Sequence, residues 1–214
     1  MKKRSWLFAL LLILCLMLTG CGNKTFTPSS VSDSVSAAVS AVDVPATVAD
    51  FDAALKAAGF IDEDEYNAVY ADRFSDDAAL YQQFTQDGVV GLIIPESMDA
   101  EYMNSSGIKE SRFYQLGDMY MDNDDLMLSW DDAVVFLVFD SDASAESYFQ
   151  SNISALSDYE VSPKVYASGN ATRAEYRDGD NSTLASLKGN TILVYDYYYA
   201  SSIVMDSVIS DLGY

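Results

Sequence analysis

The chain has 214 residues and is strongly acidic, with 33 Asp and Glu residues against 12 Lys and Arg residues and a net charge of -21 at pH 7. A surface this negative repels phosphates, so binding to nucleic acid or to anionic lipid headgroups is not expected. The chain has no histidine and only two cysteines, which excludes Ser-His-Asp and Cys-His catalysis, disfavours zinc sites, and leaves carboxylate, tyrosine, lysine and serine chemistry or oxygen ligands for a hard cation.

The N-terminus has the pattern of a signal peptide. Basic residues at positions 2–4 are followed by an uncharged apolar run of thirteen residues, Trp6 to Leu18. At about 1.5 Å per residue, a helix of this length does not span a hydrocarbon core of about 30 Å, so the run predicts a secretory signal and not a membrane span. Two small residues, Thr19 and Gly20, then precede Cys21, as a cleavage site requires.

The four residues Leu18-Thr19-Gly20-Cys21 resemble the lipobox of bacterial lipoproteins. The resemblance implies that the thiol of Cys21 receives a diacylglycerol and that the mature chain begins at this residue. Acyl chains such as palmitate contribute about 0.8 kcal/mol per buried CH₂, so two or three of them hold a protein on a membrane. The expected location is the extracytoplasmic face of the cell membrane; the alternative is an ordinary secretory signal that happens to contain a cysteine.

Three segments are predicted from this pattern. Residues 1–20 form the signal peptide. Residues 21–46 form the lipidated N-terminus and a flexible tether, because they are rich in Ser, Ala, Val and Thr. Residues 47–214 form an extracytoplasmic domain whose 168 residues are enough for one sizeable core. Loss of residues 1–20 changes the net charge to -24 and leaves no pair of cysteines for a disulfide.

The first half of the domain is predicted to be mainly helical. Thr47 and Asp50 resemble a capping box, and the spacing after them predicts a helix that ends at Gly59. Residues 62–74 favour a helix over a strand, and residues 76–85 predict a second short helix. A buried strand is expected from Val89 to Ile94, ended by Pro95. Residues 98–107 have no clear preference, and residues 112–121 alternate weakly as a strand does.

The second half is predicted to contain most of the sheet. Ala133 to Phe139 is a run of seven apolar residues, which predicts a strand covered on both faces. The elements expected after it are a helix at 143–157, strands at 165–167, 171–177, 182–187 and 191–198, and a last helix at 201–212. This order predicts an α+β fold with a mostly antiparallel sheet and helices packed on it.

Several short segments carry a resemblance to a family. They are Phe51 to Phe60, Phe136 to Ser141, Ala145 to Phe149, Gly189 to Tyr195 and Leu212 to Tyr214. In these segments the chain resembles uncharacterised cell-surface lipoproteins of Gram-positive bacteria. The resemblance implies an α+β domain of unknown function and supplies no activity. Residues 75–130 are longer than the usual pattern, so whether they form a separate subdomain is left open.

The densest acidic group is a candidate site for a hard cation such as Ca²⁺. It consists of Asp122, Asp124, Asp125, Asp131 and Asp132. An EF-hand loop needs an oxygen ligand at its fifth position, glycine at its sixth and Glu at its twelfth. Counted from Asp122, these positions hold Leu126, Met127 and Ala133, so only an irregular site remains. The alternative is that these carboxylates are solvated turns flanking a hairpin.

A cluster of tyrosines before the last helix is the second candidate site. Tyr195, Tyr197 and Tyr199 fall on one face of the predicted strand, and an exposed row of rings could stack on sugars or peptides. The alternative is that the rings pack within the sheet. Ser106 to Lys109 matches the S-x-x-K of serine acyltransferases, but the supporting motifs are absent, so no catalytic residue is assigned.

These patterns predict a non-enzymatic lipoprotein that binds a ligand or contributes to envelope structure. A ligand-binding or sensory accessory of an envelope transporter or signalling system is the first alternative, and a carboxylate-based hydrolase is the second. The membrane, reached through Cys21, is the expected partner. No nucleic acid is expected, and Ca²⁺ is the one candidate cofactor.

Overall fold

The structure is a computed structural model that describes residues 46–71, 73–74, 76–156, 162–198 and 205–214. The predicted signal peptide, the lipidation site at Cys21 and the tether lie outside these residues. The described elements follow in this order: α1 Val48–Ala57, β1 Phe60–Asp62, α2 Glu63–Val69, α3 Asp77–Asp87, β2 Gly91–Glu96, α4 Ala100–Ser106, β3 Ile108–Asp122, β4 Asp125–Phe139, α5 Asp142–Leu156, β5 Lys164–Ser168, β6 Ala171–Asp178, β7 Asn181–Lys188, β8 Thr191–Tyr198 and α6 Met205–Asp211.

The strands form one eight-stranded sheet in the order β1-β2-β3-β4-β8-β7-β6-β5. The pair β1–β2 is parallel, and each of the other neighbouring pairs is antiparallel. The predicted α+β fold with a mostly antiparallel sheet is therefore confirmed. Strands β4 and β8 lie in the middle of the sheet, although β5, β6 and β7 separate them along the chain.

The first helix begins as its sequence predicts. The Oγ1 of Thr47 accepts a hydrogen bond from the backbone N–H of Asp50, and the carboxylate of Asp50 accepts one from the backbone N–H of Thr47. This reciprocal pair is the capping box, which satisfies two N–H groups that a helix start leaves unpaired. Gly59 has the left-handed φ of 96° expected after the helix, and Phe60 is buried directly beyond it.

Helices α1 and α6 pack on one side of the sheet, here called the front face. The core of this face contains Phe51 and Leu55 of α1, Val208 of α6, and the strand residues Phe136 and Leu193. The rings of Phe51 and Phe136 stack with centroids 5.1 Å apart. Because strand side chains alternate, the residues next to these in the strands point to the opposite side, here called the back face.

The back face is covered by helices at its two ends. Helix α5 packs against β4, β7 and β8, where Leu137 and Ile192 are buried. Helices α2 and α3 form a second cluster with the sheet, which contains Tyr70, Phe84 and Met119. Within the described part of the chain, no helix is long and apolar enough to cross a membrane.

Two expectations for the first half need correction, and one assignment that the sequence left open is resolved. Pro95 does not end its strand, because it lies inside β2 and pairs with Tyr114. The pairing of β1 with β2 stops at Ile93, so Pro95 lies in a part of β2 that has a neighbouring strand on one side only, where proline is tolerated. Residues 98–107, which showed no preference, contain α4, whose start is capped by Asp99. The helix expected over 62–74 ends at Val69.

Candidate ligand-binding face

The acidic candidates do not converge on one point. Asp122 and Asp125 face each other at the tip of the β3–β4 hairpin, and they and Asp124 are exposed. Asp131 and Asp132 were expected to precede the strong strand, but they lie inside β4, which begins earlier because its hairpin with β3 is long. Among the described residues, no group of three or more acidic side chains is arranged to hold a metal ion.

Asp132 connects two of the predicted groups. Its side chain is buried, with 6% of the residue exposed. Its carboxylate accepts hydrogen bonds of 3.0 Å from the hydroxyl of Tyr195 and from the backbone N–H of Tyr198. The β4–β8 ladder has its last pair at Ala133 and Asp196, so the Asp132 carboxylate continues the connection between the two strands beyond that pair.

The tyrosine candidates are mostly part of the front core. Tyr195 is 6% exposed, and its ring stacks on that of Tyr197 with centroids 4.8 Å apart. Tyr197 is half-buried against the same core. The prediction of an exposed row of rings is therefore wrong for Tyr195, because α6 and the front core cover this side chain. Tyr199 lies outside the described residues. Tyr198, on the back face, is 40% exposed.

On the back face of the two central strands, the side chains become more exposed with distance from α5. Along β8, Ile192 is 2% exposed, Val194 and Asp196 are half-buried, and Tyr198 is exposed. Along β4, Leu137 is buried, whereas Val135 and Ala133 are half-exposed. The strand Ala133–Phe139 is thus covered on both faces only in its last part. The expectation of full coverage was wrong because α5 reaches only that end of the sheet.

A row of side chains crosses this open area. The register places Ile94, Gln115, Ala133, Asp196 and Thr183 side by side on β2, β3, β4, β8 and β7; Thr183, at the β7 end, is buried. At about 4.8 Å between strands, the row is about 19 Å long. A second row lies beside it, nearer α5, and consists of Glu96, Phe113, Val135, Val194 and Ala185. These two rows are called the open face below.

Aromatic rings border the open face. On one side, the ring of Trp130 lies over Gly117, where an added Cβ would come within 2.6 Å of the ring. A register shift between Leu116 and Asp118 forms the bulge that sets Trp130 opposite this glycine. The side-chain amide of Gln115 donates a 2.6 Å hydrogen bond to the Trp130 carbonyl. On the same side, two residues beyond Asp196 on β8, the hydroxyl of Tyr198 donates a hydrogen bond of 3.4 Å to the carboxylate of Asp180.

Asp196 is the carboxylate in the middle of the open face. It accepts a 3.0 Å hydrogen bond from the hydroxyl of Thr183. Burial raises the pKa of Asp196 to about 6; the hydrogen bond from Thr183 opposes this, and the charge of Asp132 adds to it. Asp132 and Asp196 belong to opposite faces, so they do not flank one substrate as the paired carboxylates of glycoside hydrolases do.

The basic side chains of this half of the sheet lie on the other face. The register aligns Arg173 with Ser186 and Leu193, and it aligns Lys164 with Glu175, Leu184 and Tyr195, so both basic residues are on the front face. By the same alternation Arg177 and Lys188 are also on the front face. In the described residues of β4 to β8, every Lys and Arg is therefore on the opposite side from Asp196.

Comparison with known proteins finds no matching family model, no matching curated protein and no matching solved structure.

The sequence did not predict the open face, because the tyrosines of β8 were considered and Asp196 between them was not. A charged Asp196 inside an otherwise apolar and aromatic strand was the available signal. Trp130 and Gln115 gave no comparable signal, because their proximity to Asp196 depends on the pairing of three strands.

Proposed function

We propose that this protein is a lipid-anchored, extracytoplasmic binding module that presents the open face of its sheet to a ligand. One observation carries the binding role. Val134 and Phe136 are fully buried on the front of β4, while Ala133 and Val135 between them are half-exposed on the back. Apolar surface in water costs about 25 cal/mol per Å², and an apolar area bordered by polar groups is typical of an interaction site.

The anchor is supported by the sequence around Cys21. A lipid at this residue, followed by a tether, would hold the domain at the membrane while leaving the sheet free to meet a ligand. A Cys21→Ala variant is expected to move from the membrane fraction to the soluble fraction and to lose incorporation of labelled palmitate. Retention of the variant in the membrane would contradict the lipid anchor.

The open face itself can be tested on intact cells with a membrane-impermeant maleimide. In the mature chain Cys21 would be consumed by the lipid, so an introduced cysteine would be the only free thiol. Val194→Cys, on the open face, is expected to be labelled from outside the cell. Labelling only in broken cells would mean that the domain lies on the cytoplasmic side of the membrane, which would contradict the proposal.

Ser186→Cys is the matched control, because Ser186 is fully buried on β7. Its hydroxyl has no hydrogen-bond partner within the described residues, so the near-isosteric thiol costs little. We expect this cysteine to react only after denaturation. Equal protection of Val194→Cys and Ser186→Cys in the folded protein would show that the face is covered, and the proposal would then be withdrawn.

A further inference from the structure

We propose that the open face binds a small organic cation, with an ammonium group paired to Asp196 and an apolar body lying on Ala133 and Val194. Trp130 and Tyr198 would border the ligand. This inference rests on the proposed function, since it names the ligand class of the same face. It is carried by the charge of the face, by its apolar floor and by its aromatic borders.

The charge of the open face selects a cation. Asp196 lies at its centre, and the carboxylate of Asp132 lies behind the same pair of strands. The Lys and Arg side chains described in β4 to β8 are on the front face, where they do not compensate Asp196. The net charge of -21 adds a long-range attraction for cations and a repulsion for anions. An anionic ligand would therefore meet an unfavourable potential at every stage of binding.

The apolar residues of the open face, here called its floor, suit the apolar part of such a ligand. Ala133, Val135, Val194 and Ala185 are half-exposed and small, and they lie on neighbouring strands. A flat aliphatic or aromatic group can cover them without displacing a hydrogen-bonded side chain. Burial of such a group removes apolar surface from water, which is a stabilising contribution that a fully hydrated inorganic ion cannot provide.

The borders of the face are held in place before any ligand arrives. The absence of a Cβ at Gly117 makes room for the ring of Trp130, and the hydrogen bond from Gln115 holds its backbone. An ammonium group near a tryptophan face is attracted by the negative potential of the ring, and the attraction grows as the group is desolvated. A preformed aromatic border also lowers the entropy lost on binding.

A bare metal ion fits this face less well than an organic cation. Ca²⁺ takes six to eight oxygen ligands, whereas no group of three acidic side chains converges within the described residues. A central carboxylate next to apolar and aromatic groups is instead the arrangement that suits an alkyl- or arylammonium ion, because its charge is compact and the rest of the molecule is apolar.

The test uses three probes of similar size: 2-phenylethylammonium, neutral 2-phenylethanol and anionic 3-phenylpropanoate. The full chain carries a Trp6→Phe change, which leaves Trp130 as the only tryptophan and makes its fluorescence a reporter of the open face. At neutral pH, we expect a saturable change with the ammonium compound, at least tenfold weaker binding of the alcohol, and no binding of the carboxylate. Alcohol binding as tight as ammonium binding would overturn the inference.

Asp196→Asn is the decisive variant, because the amide keeps a hydrogen-bond acceptor for Thr183 and removes the charge. We expect at least a tenfold loss of affinity for the ammonium probe and an unchanged affinity for the alcohol. Asp124→Asn is the matched control, since Asp124 is exposed at the tip of the β3–β4 hairpin, away from the open face, and should leave both affinities unchanged. The urea midpoint of each variant shows that it is folded. Unaltered ammonium binding by Asp196→Asn would overturn the inference.

A second variant tests the floor independently of the charge. Ala133→Leu keeps the strand apolar but places a larger side chain beside Asp196, so it should lower the affinities for the ammonium and the alcohol probes together. If no probe binds and the protein self-associates in sedimentation, a second copy covers the face and the inference fails. Its failure is separable from that of the proposed function: labelling of Val194→Cys without discrimination among the probes leaves a binding module for another class of ligand.

Discussion

Asp132 and Asp196 show how neighbouring carboxylates can have different environments. They lie on adjacent strands, one residue apart in the register. Asp132 points to the front, where the hydroxyl of Tyr195 and the backbone of Tyr198 donate to it. Asp196 points to the back, where one hydrogen bond from Thr183 offsets only part of the cost of burial. The first carboxylate therefore joins two strands, and the second is the group available to a ligand.

The first prediction concerns the pH dependence that Asp196 contributes to stability. Its pKa is raised from 3.8 to about 6 in the folded protein, mainly by burial, so the folded state holds this proton more tightly than the unfolded state does. Above pH 6 the ionised carboxylate therefore lowers the free energy of unfolding, and this loss disappears as the pH falls toward 4.

We expect Asp196→Asn to raise the free energy of unfolding at pH 7 by about 1–3 kcal/mol, the upper value following from 1.36 kcal/mol per pKa unit. The gain should shrink between pH 6 and pH 4, as measured by urea denaturation. Asp131→Asn should change stability by no more than about 0.5 kcal/mol, because Asp131 is an exposed surface residue. A gain for Asp196→Asn that is independent of pH would contradict the assignment.

At the scale of elements, two helix ends are packed against each other. Gly59 follows α1 with φ 96°, and Gly88 ends α3 with φ 74°. The carbonyl oxygen of Gly59 accepts a 3.0 Å hydrogen bond from the backbone of Val90. A Cβ at Gly59 would lie 2.2 Å from the carbonyl oxygen of Gly88, whereas a Cβ at Gly88 would meet nothing within 4 Å.

The second prediction follows from this contrast. Gly88→Ala should lower the free energy of unfolding by about 1–2 kcal/mol, which is the cost of a left-handed backbone for a residue with a Cβ. Gly59→Ala has the same backbone cost and also forces two backbone segments apart, so it should lower the free energy of unfolding by about 3 kcal/mol or more. Urea denaturation of both variants measures the difference. Equal losses would show that the turns after α1 and α3 separate easily.

The long strands β3 and β4 depend on pairing more than on their local sequence pattern. Their hairpin extends to Asp122 and Asp125, and it contains the bulge at Gly117 that positions Trp130. The weak alternation of residues 112–121 underestimated β3, because several of its side chains are polar or exposed. What stabilises this strand is its pairing with β2 and β4, which no local pattern within β3 reveals.

For the whole molecule, net charge is the dominant feature outside the core. A charge of -21 on one chain repels itself in the folded state more than in the expanded state, so screening should stabilise the fold. The Debye length falls from about 30 Å at 0.01 M salt to about 8 Å at 0.15 M. The melting temperature of the full chain should therefore rise over this range of NaCl concentration.

The third prediction separates screening from specific metal binding. The acidic candidates Asp122, Asp124, Asp125, Asp131 and Asp132 do not converge, so Ca²⁺ and Mg²⁺ at matched ionic strength should raise the melting temperature equally. Thermal unfolding monitored by circular dichroism measures both. A rise with Ca²⁺ that Mg²⁺ does not reproduce would restore the acidic hairpin as a cation site, and Asp122→Asn with Asp124→Asn would then locate it.

The sequence by itself determined the class of the fold and many of its boundaries. The capping box at Thr47, the helix end at Gly59 and the alternation of the C-terminal strands are local patterns with local causes. Hydrogen bonds between residues three apart and the preferences of glycine act within a few residues, so they can be recognised without knowing the fold. These signals were sufficient to predict an α+β domain with a mostly antiparallel sheet.

Only the tertiary structure decided which surfaces are open. Alternation assigns Tyr195 and Asp196 to opposite faces of a strand, but it does not say which face a helix covers. That depends on where α5 and α6 pack, and on a strand order that places β8 between β4 and β7. Gln115 and Ala133 become neighbours through the β3–β4 hairpin, and Asp196 joins them through the β4–β8 pairing of distant parts of the chain. Because burial is a property of those distant contacts, the candidate site emerged only when the sheet was assembled.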